Sequence, residues 1–226
     1  MKKRSKKYQE SSSLVEKGKE YTLEEGLELV KKTAQANFDA AVETHFNLNI
    51  DPKKNQSVRG TAKLPHGTGK KLKIAVLTTP EKQKEAKKAG ASLVGGEELI
   101  KEIGQTKKAN FDVAIASPEM MKKIAPIAKV LGQKGLMPNP KNETINPEPA
   151  KVVKELNQGK ITFKSDDSGN VHQIIGRISF DDKKLKENFE TFLEEIKKAK
   201  PKEVKENYFQ NIYLTSSMGP SVRIKV

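Results

Sequence analysis

Between Leu72 and Asn157 the chain alternates short apolar runs with helical patterns, and on either side of that stretch the alternation stops. This change of texture constrains the fold more than any other feature. Leu72-Lys73-Ile74-Ala75-Val76-Leu77-Thr78 reads as a strand, after which Thr79 stands as a helix N-cap with Pro80 at the first helical position and Gly90 closes the helix. Further apolar runs at Ser92-Leu93-Val94 and from Phe111 to Ala116 enclose a helical stretch from Glu97 to Ile103. Ser117-Pro118 opens a helix expected to reach Gly132, and Glu148 to Asn157 forms another that Gly159 closes. Strand–helix units this short predict a small parallel sheet with helices outside it.

The flanks read differently. Thr22-Leu23-Glu24-Glu25 is a capping-box pattern, followed by Leu23, Leu27, Val30 and Ala34 on one helical face. After Phe38 the period changes to two: Val42, Thr44, Phe46, Leu48 and Ile50 alternate with Glu43, His45, Asn47 and Asn49, a strand with one polar face. Near the end, Ile161 to Lys164 and Val171 to Phe180 flank the turn Asp166-Asp167-Ser168-Gly169-Asn170, which predicts a hairpin. Leu185, Phe189, Phe192, Leu193 and Ile196 mark an amphipathic helix stopped by Pro201. Tyr208 to Leu214 reads as a further strand, and after the break Thr215 to Pro220 the residues Val222, Ile224 and Val226 alternate with Arg223 and Lys225.

Neither flank can bury its apolar faces alone. The fold class expected is therefore α/β in two domains. Residues 1–66 and 160–226 form a discontinuous α+β domain, and 67–159 form an inserted α/β domain. The two crossings, near Pro65, Gly67 and Gly69 and at Gly159, make a double-stranded hinge.

Charge locates a surface. The net charge is +14 over 226 residues; the inserted segment carries +7, whereas residues 8–66 carry −1, with the rest of the N-terminal charge in the arm Lys2, Lys3, Arg4, Lys6 and Lys7. A positive field of this size favours polyanions, nucleic acid first. Other classes fall away. No uninterrupted apolar run exceeds four residues, far short of the roughly 20 that a membrane span needs. The basic N-terminus is followed by Tyr8-Gln9-Glu10-Ser11, where a secretory leader would be apolar. Without cysteine there is no disulfide scaffold or thiolate chemistry, and the three His are far apart in sequence with no metal-ligand spacing, so no metal or cofactor is expected. Nothing assembles into a catalytic set, which leaves a nucleotide-binding enzyme on the inserted domain as a rival without residues to run it.

Three segments stand out. Gly132-Gln133-Lys134-Gly135 within the Gly/Pro string ending at Lys141 fits both a GXXG backbone clamp and a helix C-cap. Thr215-Ser216-Ser217-Met218-Gly219-Pro220 fits both a plain turn and a hydroxyl-rich RNA contact. Phe38 is either a core residue or a stacking platform.

Taken together, Asn37-Phe38-Asp39 before Val42-Glu43-Thr44-His45, Val58-Arg59-Gly60-Thr61-Ala62-Lys63-Leu64-Pro65-His66-Gly67-Thr68-Gly69-Lys70, the string from Gly132 to Lys141, and Ser217-Met218-Gly219-Pro220-Ser221-Val222-Arg223-Ile224 closely resemble the bacterial L-one family of large-subunit ribosomal proteins, in the family's order along nearly the whole chain. The resemblance implies a terminal RNA-binding domain with an inserted Rossmann-like domain. It implies binding to structured large-subunit ribosomal RNA in the mobile stalk beside the exit site, release of deacylated tRNA, and repression of the protein's own mRNA. A cytoplasmic, ribosome-associated protein that is a monomer when free is the corresponding expectation. The RNA surface carried over comprises Asn37, Phe38, Glu43, His45, Lys164, His172, Thr215, Ser216, Ser217, Met218 and Gly219, with Asn37 standing where the family often has a basic residue. A secondary contact falls on Gly132, Gln133, Lys134, Gly135 and Lys141. Because the terminal segments beyond the arm carry only +2, recognition there is expected to rest on shape and hydroxyl contacts more than on bulk charge.

Overall fold

In the computed structural model, which describes residues 5–16, 18–51, 56–106, 109–201, 204 and 207–225, the chain divides into two compact units, Met1–Gly69 with Ile161–Val226 and Lys70–Lys160. The first begins with a helix that the sequence did not announce. Helix α1 (Lys6–Ser13) is capped by Ser5, whose hydroxyl accepts from Tyr8 N. Its sequence has no apolar stripe, and it is tied down by a polar contact: the buried Ser11 hydroxyl donates to Thr33 O at 3.1 Å. Lys6 and Lys7 thus lie on a helix and not in a loose arm, while Lys2, Lys3 and Arg4 fall outside the described residues.

Helix α2 (Leu23–Thr33) forms with its capping box complete: Glu25 N donates to the Thr22 hydroxyl, and Thr22 N donates to the Glu25 carboxylate at 3.0 Å. Those bonds hold the Glu25 carboxyl below its ordinary value. Strands β1 (Ala41–Leu48) and β2 (Arg59–Lys63) follow, and after the second unit come β6 (Lys160–Lys164), β7 (Asn170–Arg177), α8 (Asp182–Lys198), β8 (Phe209–Ser216) and β9 (Val222–Ile224). Four of these make an antiparallel sheet in the order β7-β1-β8-β9. Its inner face packs against α2 and α8, with Phe46 of β1 buried among Phe189, Phe192 and Phe209 at ring separations of 5.6 to 5.9 Å.

The predicted hairpin around Asp166 does not form. The turn is present, with Asp166 N donating to Asn170 O and Gly169 N to Asp166 O, but β6 pairs with β2 in a separate two-stranded sheet while β7 pairs with β1. Ser165 explains the parting: its N–H donates to Val58 O and its hydroxyl accepts from Val58 N, which binds the end of β6 toward β2 before the turn begins.

The second unit is built on a parallel sheet in the order β4-β3-β5: β3 (Ile74–Leu77) lies between β4 (Leu93–Gly95) and β5 (Val113–Ala116). All four β3 residues are buried because helices cover both faces. Ile74 and Val76 face α3 (Pro80–Lys88) and α7 (Pro149–Asn157), while Ala75 and Leu77 face α4 (Glu97–Thr106) and α5 (Pro118–Ile124). The single helix expected from Ser117 to Gly132 is split: α5 ends at Ile124, Ala125–Ile127 is a 3-10 turn, and α6 runs Ala128–Gln133. Pro126 causes the break, having no N–H to give and a ring that collides with the preceding turn. Among the described residues no helix is long and apolar enough to cross a membrane.

Candidate nucleic-acid interface

The outer face of the four-stranded sheet is the one that α2 and α8 leave uncovered, and its residues follow from strand register. Glu43, His45 and Asn47 of β1 point away from the core by alternation. Register sets Ile174 and Thr215 beside Glu43, His172 and Tyr213 beside His45, and Asn170 and Asn211 beside Asn47, and Arg223 extends the middle row. The face thus carries an amide row (Asn170–Asn47–Asn211) and, next to it, a row of three rings and a guanidinium (His172–His45–Tyr213–Arg223). Asn47 Nδ2 donates to Asn170 Oδ1 at 2.7 Å. His45 Nδ1 and His172 Nδ1 lie 2.8 Å apart, and His172 Nε2 faces Asp166 Oδ2 at 3.5 Å. Burial pushes the His45 imidazole down, His172 adds to that, and Glu43 opposes it. At Asp166 burial works upward, but donors on Asn170, Ser168 and His172 outweigh it and hold the carboxyl below its ordinary value.

One end of this face is formed by two exposed apolar side chains. Phe38 is 59% exposed, with exposed Asn37 beside it, in the link from α2 to β1. The link is fixed by Asp39, whose carboxylate accepts from the N–H and hydroxyl of Ser179, while Arg177 donates to Asp39 O at 3.0 Å. Met218 is 83% exposed at the turn after β8 and has φ +70, a left-handed conformation rare outside glycine. The turn is locked: Gly219 N donates to Ser216 O, Ser217 N donates to Ala41 O at the start of β1, and a Cβ on Gly219 would stand 2.2 Å from the Ser216 hydroxyl oxygen. The Thr215 hydroxyl lies within 3.3 Å of the carbonyls of Ser216, Gly219 and Pro220, which it can serve as donor one at a time. Ser216 is buried on the core side of β8, its hydroxyl without a partner among the described residues.

The fold therefore gathers Phe38, Glu43, His45, His172, Thr215, Ser217, Met218 and Gly219 on or beside one face. Lys164 is exposed on β6, in the other sheet of the unit. Sequence reasoning passed over Tyr213, Arg223 and Asn211, although their alternation with buried Ile212, Leu214, Val222 and Ile224 was the available signal. A cleft of about 290 Å³ adjoins Tyr213 and Arg223, walled by Tyr8 and Ser12 of α1.

In the second unit, Gly132-Gln133-Lys134-Gly135 is a helix C-terminus. Gly135 takes φ +68, its N–H donates to Gly132 O, and Leu136 N donates to Leu131 O, the bonding of a Schellman cap. Gly132, Gln133, Lys134 and Gly135 are all exposed, and a Cβ on Gly132 or Gly135 would meet nothing within 4 Å. Lys141 lies in the following 3-10 turn Pro140–Asn142, its side chain outside what is described. Among the hinge candidates, Gly67 (φ +63) and its neighbour His66 are held by the fully buried Asn188 of α8, which accepts from His66 N and donates to Gly67 O and Ile175 O. Pro65 is exposed beside them, and Gly69 follows at φ +71. Gly159 (φ +101) closes α7, before Lys160 bridges Glu143 and Glu155.

Residues 30–220 match the Ribosomal protein L1p/L10e family. The chain is 48% identical over 226 residues to the large ribosomal subunit protein uL1 of Mycoplasma capricolum subsp. capricolum, covering 100% of both chains. To the proteins of the same name from Mesoplasma florum and Thermosipho africanus it is 49% identical over 227 residues (100% of both chains) and 45% identical over 225 residues (99% of this chain, 97% of the other). The chain belongs to the Ribosomal protein L1p/L10e family and is a structural ribosomal protein, not an enzyme.

Proposed function

We propose that this protein binds structured large-subunit ribosomal RNA in the mobile stalk beside the tRNA exit site, works there in the release of deacylated tRNA, and represses its own mRNA through a similar RNA fold. The single observation that carries the reading is that Phe38 and left-handed Met218 are both exposed on tethered segments, Met218's turn held to Ala41 O by Ser217 N and Phe38's link held through Asp39 to Arg177 and Ser179. An aromatic face and an apolar turn held rigidly in solvent cost stability and suit the bases and sugars of folded RNA. The protein is a ribosome-associated, cytoplasmic component that is a monomer when free.

The terminal unit is the principal RNA binder. The inserted unit adds a more electrostatic contact through Lys134, Lys141 and the accessible backbone at Gly132, Gln133 and Gly135. Because Asn188 secures His66 and Gly67, the swivel falls at Gly69 on one strand of the connection and at Gly159 on the other, with Pro65 and Gly67 on the fixed side.

The test is binding to a folded stalk-region RNA against an equal-length scrambled RNA across a salt series. Tight binding to the folded fragment that survives moderate salt, with weak scrambled binding, is the expected result. Equal binding to both, collapsing with salt at roughly −0.7 per single-strand phosphate contacted, would overturn it.

A further inference from the structure

The chain contains three histidines, and the fold brings two of them, 127 residues apart, into contact at the middle of the open face. His45 and His172 are direct cross-strand partners, which sets their Cβ atoms close enough for the rings to share one point. They do so through the same nitrogen: Nδ1 faces Nδ1 at 2.8 Å, with the rings edge to face and centroids 4.9 Å apart. The opposite nitrogen of His172 faces the Asp166 carboxylate, itself fixed by donors from Ser168 N and Asn170 N. A carboxylate near the far nitrogen favours the tautomer that leaves the near nitrogen as a lone pair, an arrangement also found behind metal-ligating histidines.

We propose that His45 and His172 form a two-point site for a divalent transition-metal ion, with Zn²⁺ as the reference ion. Imidazole nitrogens suit zinc and nickel better than the oxygen-seeking calcium and magnesium. In the contact as it stands one Nδ1 must carry a proton. When the ion enters, the His45 proton moves to its Nε2 by exchange with solvent, both Nδ1 atoms present lone pairs, and no net proton is lost. Zinc–nitrogen bonds of about 2.0–2.1 Å at a tetrahedral angle place the two nitrogens about 3.3 Å apart, so the rings part by roughly half an ångström. Among the described residues no group of three or more His, Asp or Glu is placed to hold an ion, so the protein supplies two ligands and the remaining positions open to solvent. Binding is accordingly weak and reversible, unlike a structural zinc site. The proposal does not rest on the RNA reading.

The test is a Zn²⁺ titration of the full chain at pH 7.5 without RNA, followed by calorimetry and by the imidazole proton resonances. The expected result is one equivalent bound, two of the three imidazoles shifting while that of His66, paired with Glu187 at 2.6 Å, stays in place. His172→Gln should weaken the interaction at least tenfold, and Asp166→Asn about tenfold or more through loss of ring orientation. Both side chains are exposed, so the variants fold, which the unchanged resonances of the rest of the chain verify. No saturable binding by the wild-type chain would overturn the proposal, as would binding that His172→Gln and His45→Gln leave unchanged.

Discussion

The two units use a sheet in opposite ways. In the inserted unit both faces of β3 are committed to packing, Ile74 and Val76 on one side and Ala75 and Leu77 on the other, so whatever that unit recognises must be met at loops and strand ends. In the terminal unit α2 and α8 cover one face only, and the other displays Glu43, His45, Asn47, Tyr213 and Arg223. One core supports a display surface there, and the core's centre is Phe46. The largest expected effect follows. Phe46→Ala removes a ring packed against three others and should destabilise the terminal unit by about 3–5 kcal/mol. The chain has four Tyr and no Trp, and Tyr8, Tyr21, Tyr208 and Tyr213 all belong to the terminal unit, so tyrosine emission during urea unfolding reports that unit alone. Leu77→Ala, a comparable cavity in the other unit, should leave the tyrosine transition in place. If it moves that transition equally, the units are not energetically separate.

What could be read from sequence here was local. The Thr22 capping box, the alternation along β1 and the stripe on α8 each need only a few neighbouring residues to be recognised, and each forms as expected. Pairing is not local. The turn at Asp166 looked like the tip of a hairpin, yet two bonds between Ser165 and Val58, 107 residues apart, decide where β6 goes. Helix α1 lacks an apolar stripe to read, and a buried hydroxyl on Ser11 helps to hold it. The split at Pro126 did carry a signal, the missing N–H, that the longer helical pattern masked. The site divides in the same way. The outward parity of Glu43 and His45 is visible in one strand, whereas the neighbours that make them a surface, His172, Tyr213 and Arg223, come from strands far along the chain.

Asn188 sharpens the comparison at the junction. It is a fully buried amide serving three backbone groups, so Asn188→Leu leaves His66 N–H and the carbonyls of Gly67 and Ile175 short of a partner. With about 1–3 kcal/mol for an unsatisfied buried group, and His66 and Gly67 partly accessible to water, the loss should be roughly 2–3 kcal/mol in the tyrosine-reported transition. The amide of Asn157 in the inserted unit makes one exposed bond to Ala89 O at 3.4 Å, and Asn157→Ala should shift stability by no more than about 0.5 kcal/mol. A loss at Asn188 as small as that would mean that the Pro65–Gly67 segment is not held as the structure indicates.

The division of labour in RNA binding gives the next contrast. Phe38→Ala should weaken binding to the folded stalk fragment by about 1–3 kcal/mol, the usual worth of one aromatic stack, with the salt slope unchanged. Lys134→Ala should cost less at physiological salt and reduce the salt slope by about 0.7 for the phosphate contact removed. Filter binding of both variants at several salt concentrations separates the two signatures. If the slopes behave the other way round, the roles assigned to the units are exchanged.

The smallest effect lies within the display face itself. Burial and the adjacent His172 hold the His45 imidazole below its ordinary value of 6.5, with Glu43 pulling the other way. In the unfolded chain His45 titrates at about 6.5. Between the lowered folded value and that point the unfolded chain binds more protons than the folded one, so this contribution to stability is complete above the window and is lost as pH falls through it. The groups facing His45 are His172 and, through it, Asp166 on one side, Glu43 along its own strand, and Tyr213 with Arg223 beyond on the other. His45→Asn removes the titrating ring and keeps a polar group on the open face. Urea midpoints taken with chelator at pH 5.5 and 7.5 should therefore differ less in His45→Asn than in the wild-type chain, which cancels the acid response common to both. Equal differences would mean that the His45–His172 contact does not hold in solution.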